Sequence, residues 1–227
     1  MVDRIRVQIY TAQSSDEAVD LARLGVDHVG VTPSDRGLPG EIDFGAAREI
    51  CEALEGSATS VALSVETDIE PIITMVREVR PEILHLCGPP GAVGSDAVAG
   101  LRREIAPVAV MQAVAVTGPE AIDVAREYAS VADYLLLDSV APGIPGVGAA
   151  GTVHDWDLSA AIVEAVDVPV ILAGGLSPAN VATAIEVVRP WGVDSLTHTN
   201  RELEGGGFRK DLDLVGRFVN AARGAGS

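Results

Sequence analysis

Eight short apolar segments, rich in β-branched residues, alternate along the whole chain with segments whose apolar residues recur every three or four positions. The first pattern predicts buried strands and the second predicts amphipathic helices. Strict alternation implies right-handed βαβ units, so we expect a single (β/α)8 TIM barrel over residues 1–227. A doubly wound sheet is the alternative, although it rarely needs eight units of such even length. The predicted strands cover residues 5–10, 28–32, 60–65, 83–87, 108–116, 134–138, 170–173 and 194–197.

The charge balance narrows the classes of partner. The chain has 33 acidic and 16 basic residues, a formal net charge of −17, and Lys210 as its only lysine. Such a chain does not neutralise a phosphate backbone, so we expect no nucleic-acid partner. Its apolar stretches are too short to span a bilayer and its first residues do not resemble a signal peptide, so we expect no membrane partner and a cytoplasmic location. The acidity is typical of a halophile's protein, and equally of an ordinary acidic protein.

The metal-binding residue types are few and scattered. Cys51 and Cys87 are the two cysteines, and no pair of the four histidines has the spacing of a zinc motif. We therefore expect no cofactor and no metal. The aromatic residues give no clear interface, which leaves a monomer or a homodimer open.

In a barrel the site lies at the carboxyl ends of the strands, where alternate residues point inward together. Gln8 and Tyr10 share one face of strand one, and His85 and Cys87 share one face of strand four. Asp138 ends the apolar run of strand six, where a carboxyl group is costly unless it is solvated, paired or used. We interpret Asp138 as functional rather than as a helix cap.

A phosphate site is predicted at the last two strands. Gly174 and Gly175 follow strand seven, where backbone N–H groups and a helix N-terminus attract an anion. Thr197, His198 and Thr199 follow strand eight and offer two hydroxyls and an imidazole. The long glycine-rich loop over residues 139–155 is interpreted as a lid, with a tolerated surface insertion as the alternative.

Four motifs in the second half carry a resemblance to a known family. They are Tyr134 to Asp138, Gly148 to Gly151 followed by Asp155-Trp156, the stretch Ile-Leu-Ala-Gly-Gly-Leu-Ser-Pro-Ala-Asn-Val at 171–181, and Val-Arg-Pro-Trp-Gly-Val-Asp at 188–194. Their order and spacing resemble the phosphoribosylanthranilate isomerase family, and the likeness extends over nearly the whole chain. Lys210-Asp211 before the last helix, and Ser34-Asp-Arg36, also fit.

The resemblance implies an Amadori rearrangement, an aldose–ketose type of intramolecular oxidoreduction. A general acid protonates the ring oxygen of an N-linked aminoaldose phosphate, and a general base removes the proton at C2. The acid position matches Asp138. The base is a cysteine within Lys-Ile-Cys-Gly, which reads Gln8-Ile-Tyr10-Thr11 in this chain. Tyrosine has an ordinary pKa near 10 and is a poor base at neutral pH.

Other departures from the family pattern also lie at the predicted mouth, at His85, Cys87, His154 and Leu196 to His198. We therefore expect altered chemistry on a phosphorylated sugar or aminosugar. Asp138 would act as acid and base, His85 as the second titrating group, and Tyr10 as a hydrogen-bond donor or stacking surface. A phosphosugar epimerase, a lyase or aldolase, and a non-catalytic phosphosugar binder are the alternatives. The predicted substrate-binding residues are Arg36, Gln8, Cys87, His154 and Asp194.

Overall fold

Eight parallel strands close into a barrel in the computed structural model, which describes residues 4–139, 146–147 and 154–225. Each strand pairs with the next along the chain, and the first pairs with the eighth. This closure confirms the predicted (β/α)8 barrel and excludes the doubly wound sheet. The strands are β1 (Arg6–Ile9), β2 (His28–Val31), β3 (Thr59–Ser64), β4 (Ile83–Leu86), β5 (Ala109–Ala115), β6 (Tyr134–Asp138), β7 (Val170–Leu172) and β8 (Gly192–Ser195).

The helices follow the strands in strict alternation. They are α1 (Ser15–Arg23), α2 (Phe44–Leu54), α3 (Ile69–Val79), α4 (Ser95–Glu104), α5 (Ala121–Ala129), α6 (Trp156–Ala165), α7 (Val181–Val188) and α8 (Leu212–Ala225). Between β8 and α8 the chain adds a 3₁₀ turn (Thr197–Thr199) and a hairpin of β9 (Asn200–Glu202) and β10 (Phe208–Lys210). None of the helices within the described ranges is long and apolar enough to cross a membrane.

The eighth strand begins and ends two residues earlier than predicted. The prediction placed it at 194–197, whereas β8 pairs with β1 from Gly192 to Ser195 and the chain turns at Thr197. Glycine has low strand propensity, so the sequence pattern did not predict that this strand begins at Gly192. The shift leaves Asp194 inside the barrel and places Thr197 and His198 in the loop above it.

The alternation of side chains along each strand divides the core into two parts. Outward-facing residues such as Val7 and Ile9 pack under the helices, which bury the complementary side chains. The helix stripes are amphipathic, as in α1, where Ala18 and Leu21 are fully buried and Ser14 accepts a hydrogen bond from the Glu17 N–H at the N-cap. Inward-facing residues fill the barrel with an apolar layer formed by Val61, Ile83, Met111, Leu136 and Ile171.

The amino-terminal end of the barrel is filled by aromatic rings. His28, Tyr134 and Trp191 contact one another with ring centroids 5.5 to 6.1 Å apart, and the Arg6 guanidinium lies 5.9 Å from the Trp191 ring. Such contacts add to the apolar burial of the rings. The polar loops and the cavities described next are at the opposite, carboxyl-terminal end.

Candidate functional site

A cavity of about 640 Å³, its open mouth included, lies at the carboxyl-terminal end of the barrel. Its walls combine apolar side chains with a few buried polar groups, as is usual for a small-molecule site. The polar groups come from five different strands or the loops that follow them. The lining residues are Tyr10, Thr11, Thr32, Leu38, Pro39, Leu63, Val65, His85, Cys87, Leu136, Asp138, Val147, Asp194 and Leu196.

Tyr10 and His85 form a buried pair across the barrel. The Tyr10 hydroxyl and His85 Nδ1 are hydrogen bonded at 3.0 Å, although their strands, β1 and β4, are not neighbours. The Tyr10 ring occupies space left by Gly30, where an added Cβ would lie 2.2 Å from ring carbons. Burial raises the pKa of Tyr10 well above its ordinary value, and the charges of Cys87 and Asp194 raise it further. Tyr10 therefore holds its proton at neutral pH.

His85 lines the cavity, but its pKa lies far below the value of about 6.5 expected from the sequence. Burial lowers its pKa from 6.5 to about 3, because the imidazolium form loses its hydration there. His85 is consequently neutral at pH 7. Its Nε2 is buried and has no hydrogen-bond partner among the described atoms. The imidazole can exchange a hydrogen bond with a bound molecule, whereas its role as the second titrating group does not agree with this burial.

Asp138 lies where the sequence predicted, at the end of β6 and on the cavity wall. The side chain is buried, and Oδ1 accepts a hydrogen bond of 2.6 Å from the Ser139 N–H. Burial raises the pKa of Asp138 from 3.8 to about 7, and the hydrogen bonds from Ser139 only partly oppose this. A carboxyl group with such a pKa can donate or accept a proton near neutral pH.

Asp194 is a second buried carboxyl group that reaches the same cavity, from β8. Burial raises its pKa from 3.8 to about 7, and the neighbouring charge of Asp138 adds to the shift, whereas Gln8 and Lys210 oppose it. Its Oδ1 is buried without a hydrogen-bond partner in the described part of the chain. Two carboxyl groups that repel each other titrate as a coupled pair.

The predicted phosphate loops meet in a smaller cavity of about 280 Å³ next to the first. Gly174 and Gly175 line it with positive φ angles of 81° and 64°, which glycine adopts without strain. Thr197 and His198 lie across it, and Asp138 and Asp194 line both cavities. The structure thus brings the glycine loop and the loop after β8 to one point.

Thr199 is the member of the predicted phosphate set that lies elsewhere. It is fully buried, and its hydroxyl donates to Leu196 O at 3.0 Å and accepts from Lys210 Nζ at 3.3 Å. It therefore supports the loop after β8 from behind, outside the smaller cavity.

Some of the predicted substrate-binding residues line the main cavity and others lie outside it. Cys87 and Asp194 line the main cavity, although the Cys87 Sγ lies 3.6 Å from Ser64 O and burial raises the pKa of this thiol to about 12. Arg36, in the loop after β2, lines neither cavity; its guanidinium is largely exposed and paired with Glu66 at 2.7 Å. His154 lies behind the glycine loop, with Nε2 2.8 Å from Ser159 Oγ.

Gln8 lies one layer below the cavity, in register with Asp194. It is buried, and its Oε1 accepts a hydrogen bond from His28 Nδ1 at 3.2 Å. Gln8 therefore lies between the aromatic end of the barrel and the carboxyl group of Asp194.

Lys210 lies next to the site although it is outside the eight strands of the barrel. The hairpin strand β10 carries it back to the barrel, where Nζ donates to Tyr10 O, to Leu196 O at 3.2 Å and to Asn200 Oδ1 at 2.6 Å. Burial lowers the pKa of Lys210 from 10.5 to about 7, although Asp194 opposes the shift. The signal available in the sequence was that Lys210 is the single lysine of the chain.

The predicted lid and the expected absence of a metal can be compared with the structure only within the described residues. The predicted lid over 139–155 lies mostly outside them; of this loop Gly146 and Val147 pack against the site, where the Val147 N–H donates to Cys87 O at 3.0 Å. Within 4–139, 146–147 and 154–225 no group of three histidine, cysteine or acidic side chains is arranged to hold a metal ion.

The fold and the two adjacent cavities define a (β/α)8-barrel protein whose mouth combines a glycine loop with two buried carboxyl groups. The model of the N-(5'-phosphoribosyl)anthranilate isomerase family matches residues 8–221. The isomerase of Haloferax volcanii is 36% identical, and the match covers 98% of this chain and 94% of the relative. The chain belongs to the N-(5'-phosphoribosyl)anthranilate isomerase family.

Solved structures agree with this assignment. Phosphoribosyl anthranilate isomerase from Thermotoga maritima superposes with a TM-score of 0.78 at 28% identity, over 97% of this chain and 99% of the other. A phosphoribosyl anthranilate isomerase in complex with reduced 1-(o-carboxyphenylamino)-1-deoxyribulose 5-phosphate gives a TM-score of 0.76 at 26% identity, over 97% and 99% of the two chains. The resemblance expected from the sequence is thereby confirmed.

Proposed function

We propose that the protein isomerises a phosphorylated aminoaldose to the corresponding aminoketose by proton transfer, with N-(5'-phosphoribosyl)anthranilate as the first substrate to test. The observation that carries the proposal is Asp138, a buried carboxyl group at the end of β6 that faces the main cavity. Since burial raises its pKa to about 7, Asp138 carries a proton in part of the molecules at neutral pH. This is the condition for a general acid.

The two cavities support a bound orientation for such a substrate. The phosphate would bind at Gly174, Gly175, Thr197 and His198, where backbone N–H groups and a hydroxyl can donate to its oxygens. The sugar would then extend over Asp138 and Asp194 into the larger cavity. The apolar residues of that cavity, Leu38, Pro39 and Val147, offer a surface for an aromatic substituent.

In the proposed reaction, Asp138 gives its proton to the ring oxygen, the bond from that oxygen to C1 breaks, and the nitrogen lone pair forms a C1=N double bond. A base then takes the proton from C2. The electrons of that C–H bond form a C1=C2 double bond, and those of the C1=N bond return to nitrogen. The enol product becomes the ketone by a further proton shift. Carbon C1 is reduced and C2 is oxidised, so no external redox partner is needed.

Arg36 has a secondary place in this proposal. Its guanidinium is in the loop after β2, which follows a strand of the barrel at the same end as the cavities, and is paired with Glu66. An exposed pair of this kind contributes little to stability, so Arg36 can exchange Glu66 for an anionic group of the substrate at small cost.

The test is turnover of N-(5'-phosphoribosyl)anthranilate by the purified protein, with the products separated by chromatography. We expect formation of the aminoketose, and a loss of about 10²- to 10⁴-fold in kcat for Asp138→Asn. The matched control is Asp157→Asn, which changes an exposed carboxyl group on α6 and should retain full activity. Growth of a tryptophan auxotroph that lacks the isomerase provides an independent readout.

Three results would count against the proposal. A substrate-dependent rise in melting temperature without turnover would indicate a non-catalytic phosphosugar binder, since binding to the folded state raises its stability. Products of carbon–carbon cleavage would indicate a lyase. Full activity of Asp138→Asn would remove that residue from its assigned role.

A further inference from the structure

The inference concerns the group that takes the proton from C2, and it rests on the proposed function. The family resemblance places the base at position 10, where this chain has a tyrosine. The Tyr10 hydroxyl is buried, hydrogen bonded to His85 and protonated at neutral pH because burial raises its pKa. A group that already holds its proton does not accept another, so the base must be elsewhere on the cavity wall.

Four other titratable side chains line the main cavity, namely His85, Cys87, Asp138 and Asp194. His85 has a pKa of about 3, lowered by burial, and its Nδ1 is engaged by Tyr10. Cys87 has a pKa of about 12, raised by burial, so its thiol is protonated. Asp138 is assigned to the acid. Asp194 remains.

We propose that Asp194 is the general base that replaces the missing thiol, and that the neutral Gln8 beside it keeps this carboxyl group able to titrate. Asp194 lines both the main cavity and the smaller cavity, so a substrate that occupies the two passes over it. It is buried, and its Oδ1 has no hydrogen-bond partner among the residues that the structure describes. A carboxyl group at the wall of both cavities with an acceptor atom that is not already engaged can take a proton from bound substrate.

One strand separates the two carboxyl groups around the barrel. Asp138 is on β6 and Asp194 is on β8, and β7 between them continues into the small residues Ala173, Gly174 and Gly175. The charge of Asp138 acts on Asp194 and makes it harder to ionise both groups together. The pair therefore shares its protons near neutral pH, with one group as the acid and the other as the base.

Gln8 controls this balance through its lack of charge. It lies in register with Asp194, and its side-chain carbonyl is held by His28. The family motif has lysine at this position, and an ammonium group there would favour the ionised carboxylate. The other charged or titratable groups that act on Asp194 are Asp138 and Lys210, and Asp194 in turn acts on Tyr10. The ammonium of Lys210 is already bound by Tyr10 O, Leu196 O and Asn200 Oδ1.

The first experiment compares the wild-type protein with Asp194→Asn and Asp194→Glu, after each variant is shown to keep the wild-type circular dichroism spectrum. We expect Asp194→Asn to lose about 10²- to 10⁴-fold in kcat while KM changes less than tenfold. We expect Asp194→Glu to recover part of the rate, because it restores a carboxyl group. We also expect the wild-type protein to exchange the C2 deuterium of labelled substrate, and Asp194→Asn to lose this exchange.

The second experiment tests the part played by Gln8 and does not depend on Asp194→Asn being folded. In Gln8→Lys the added ammonium lowers the pKa of Asp194, so the acid limb of the kcat/KM profile should move to lower pH by about one unit or more. Gln8→Met, which is neutral and of similar size, loses the contact by which Gln8 opposes the raised pKa of Asp194, so it should not move that limb to lower pH. An unmoved limb in Gln8→Lys would overturn the assignment.

The outcomes separate this inference from the function on which it rests. If the wild-type protein turns over no phosphorylated aminosugar, the proposed function fails. If the wild-type protein is active and Asp194→Asn is equally active, the function holds and Asp194 is not the base.

Discussion

The hydroxyl of Tyr10 lies 3.0 Å from Nδ1 of His85, across the interior of the barrel from β1 to β4. This contact joins two strands that share no backbone hydrogen bonds. Tyr10 stands at the position where the family motif has its base. Its hydroxyl also engages the imidazole of His85, which would be the next candidate for the general base. Our proposals therefore assign the proton transfers to the carboxyl groups of Asp138 on β6 and Asp194 on β8.

The Tyr10 ring requires glycine at position 30. An added Cβ there would lie 2.2 Å from ring carbons, closer than any packed contact allows. We predict that Gly30→Ala lowers the free energy of unfolding by about 3 kcal/mol, because overpacking forces a shift of ring or backbone. In a Tyr10→Ala background the same change should cost less than about 1 kcal/mol. Chemical denaturation of the four proteins measures the coupling, and additive effects would contradict the contact.

The neutral state of His85 makes stability depend on pH. Its pKa is about 3 in the folded protein because of burial, whereas an unfolded histidine titrates near 6.5. Between these values the unfolded state binds the extra proton, so this contribution to stability is present above pH 6.5 and is lost as the pH falls towards 3. We predict that the wild-type protein loses up to about 1.4 kcal/mol per pH unit more than His85→Gln within this window. Urea unfolding at several pH values measures the difference, and parallel curves would contradict it.

Lys210 provides a chemical test of the hairpin. Its side chain is buried, with Nζ held by backbone and side-chain oxygens, so an amine-reactive reagent should not modify it in the folded protein. Burial also lowers its pKa to about 7, so lack of access rather than protonation is what protects it above that pH. We predict that mass spectrometry finds the Lys210 peptide unmodified after native labelling at pH 8.5 and modified after labelling in denaturant. Rapid native modification would place Lys210 in solvent.

The net charge of −17 predicts a response to salt. Like charges repel more strongly in the compact state than in the unfolded chain, and salt screens this repulsion over a Debye length of about 10 Å at 0.1 M. We predict that the melting temperature rises between low and molar KCl. The control is a sucrose solution of equal osmolality, and a constant or falling melting temperature in KCl would contradict the prediction.

The sequence predicted the positions of those candidate site residues whose direction depends on a single strand. Strand parity placed Tyr10, His85 and Asp138 on inward faces, and the glycine pair after β7 marked one side of the smaller cavity. The parts that depend on two distant segments were not predictable. Arg36 pairs with Glu66, and the Thr199 hydroxyl contacts Lys210 instead of lining the cavity. These partners come from other segments of the chain, so the sequence near Arg36 and Thr199 does not predict them.

The alternation of strand and helix patterns by itself determined the closed eight-stranded barrel, since periodicity is a local property and parallel strands impose their own crossovers. It also determined which end of the barrel carries the polar loops. Only the tertiary structure decided which groups hold protons at neutral pH. The pKa values of Tyr10, His85, Asp138 and Asp194 depend on burial and on charges brought near from other strands, and neither exists until the barrel has closed.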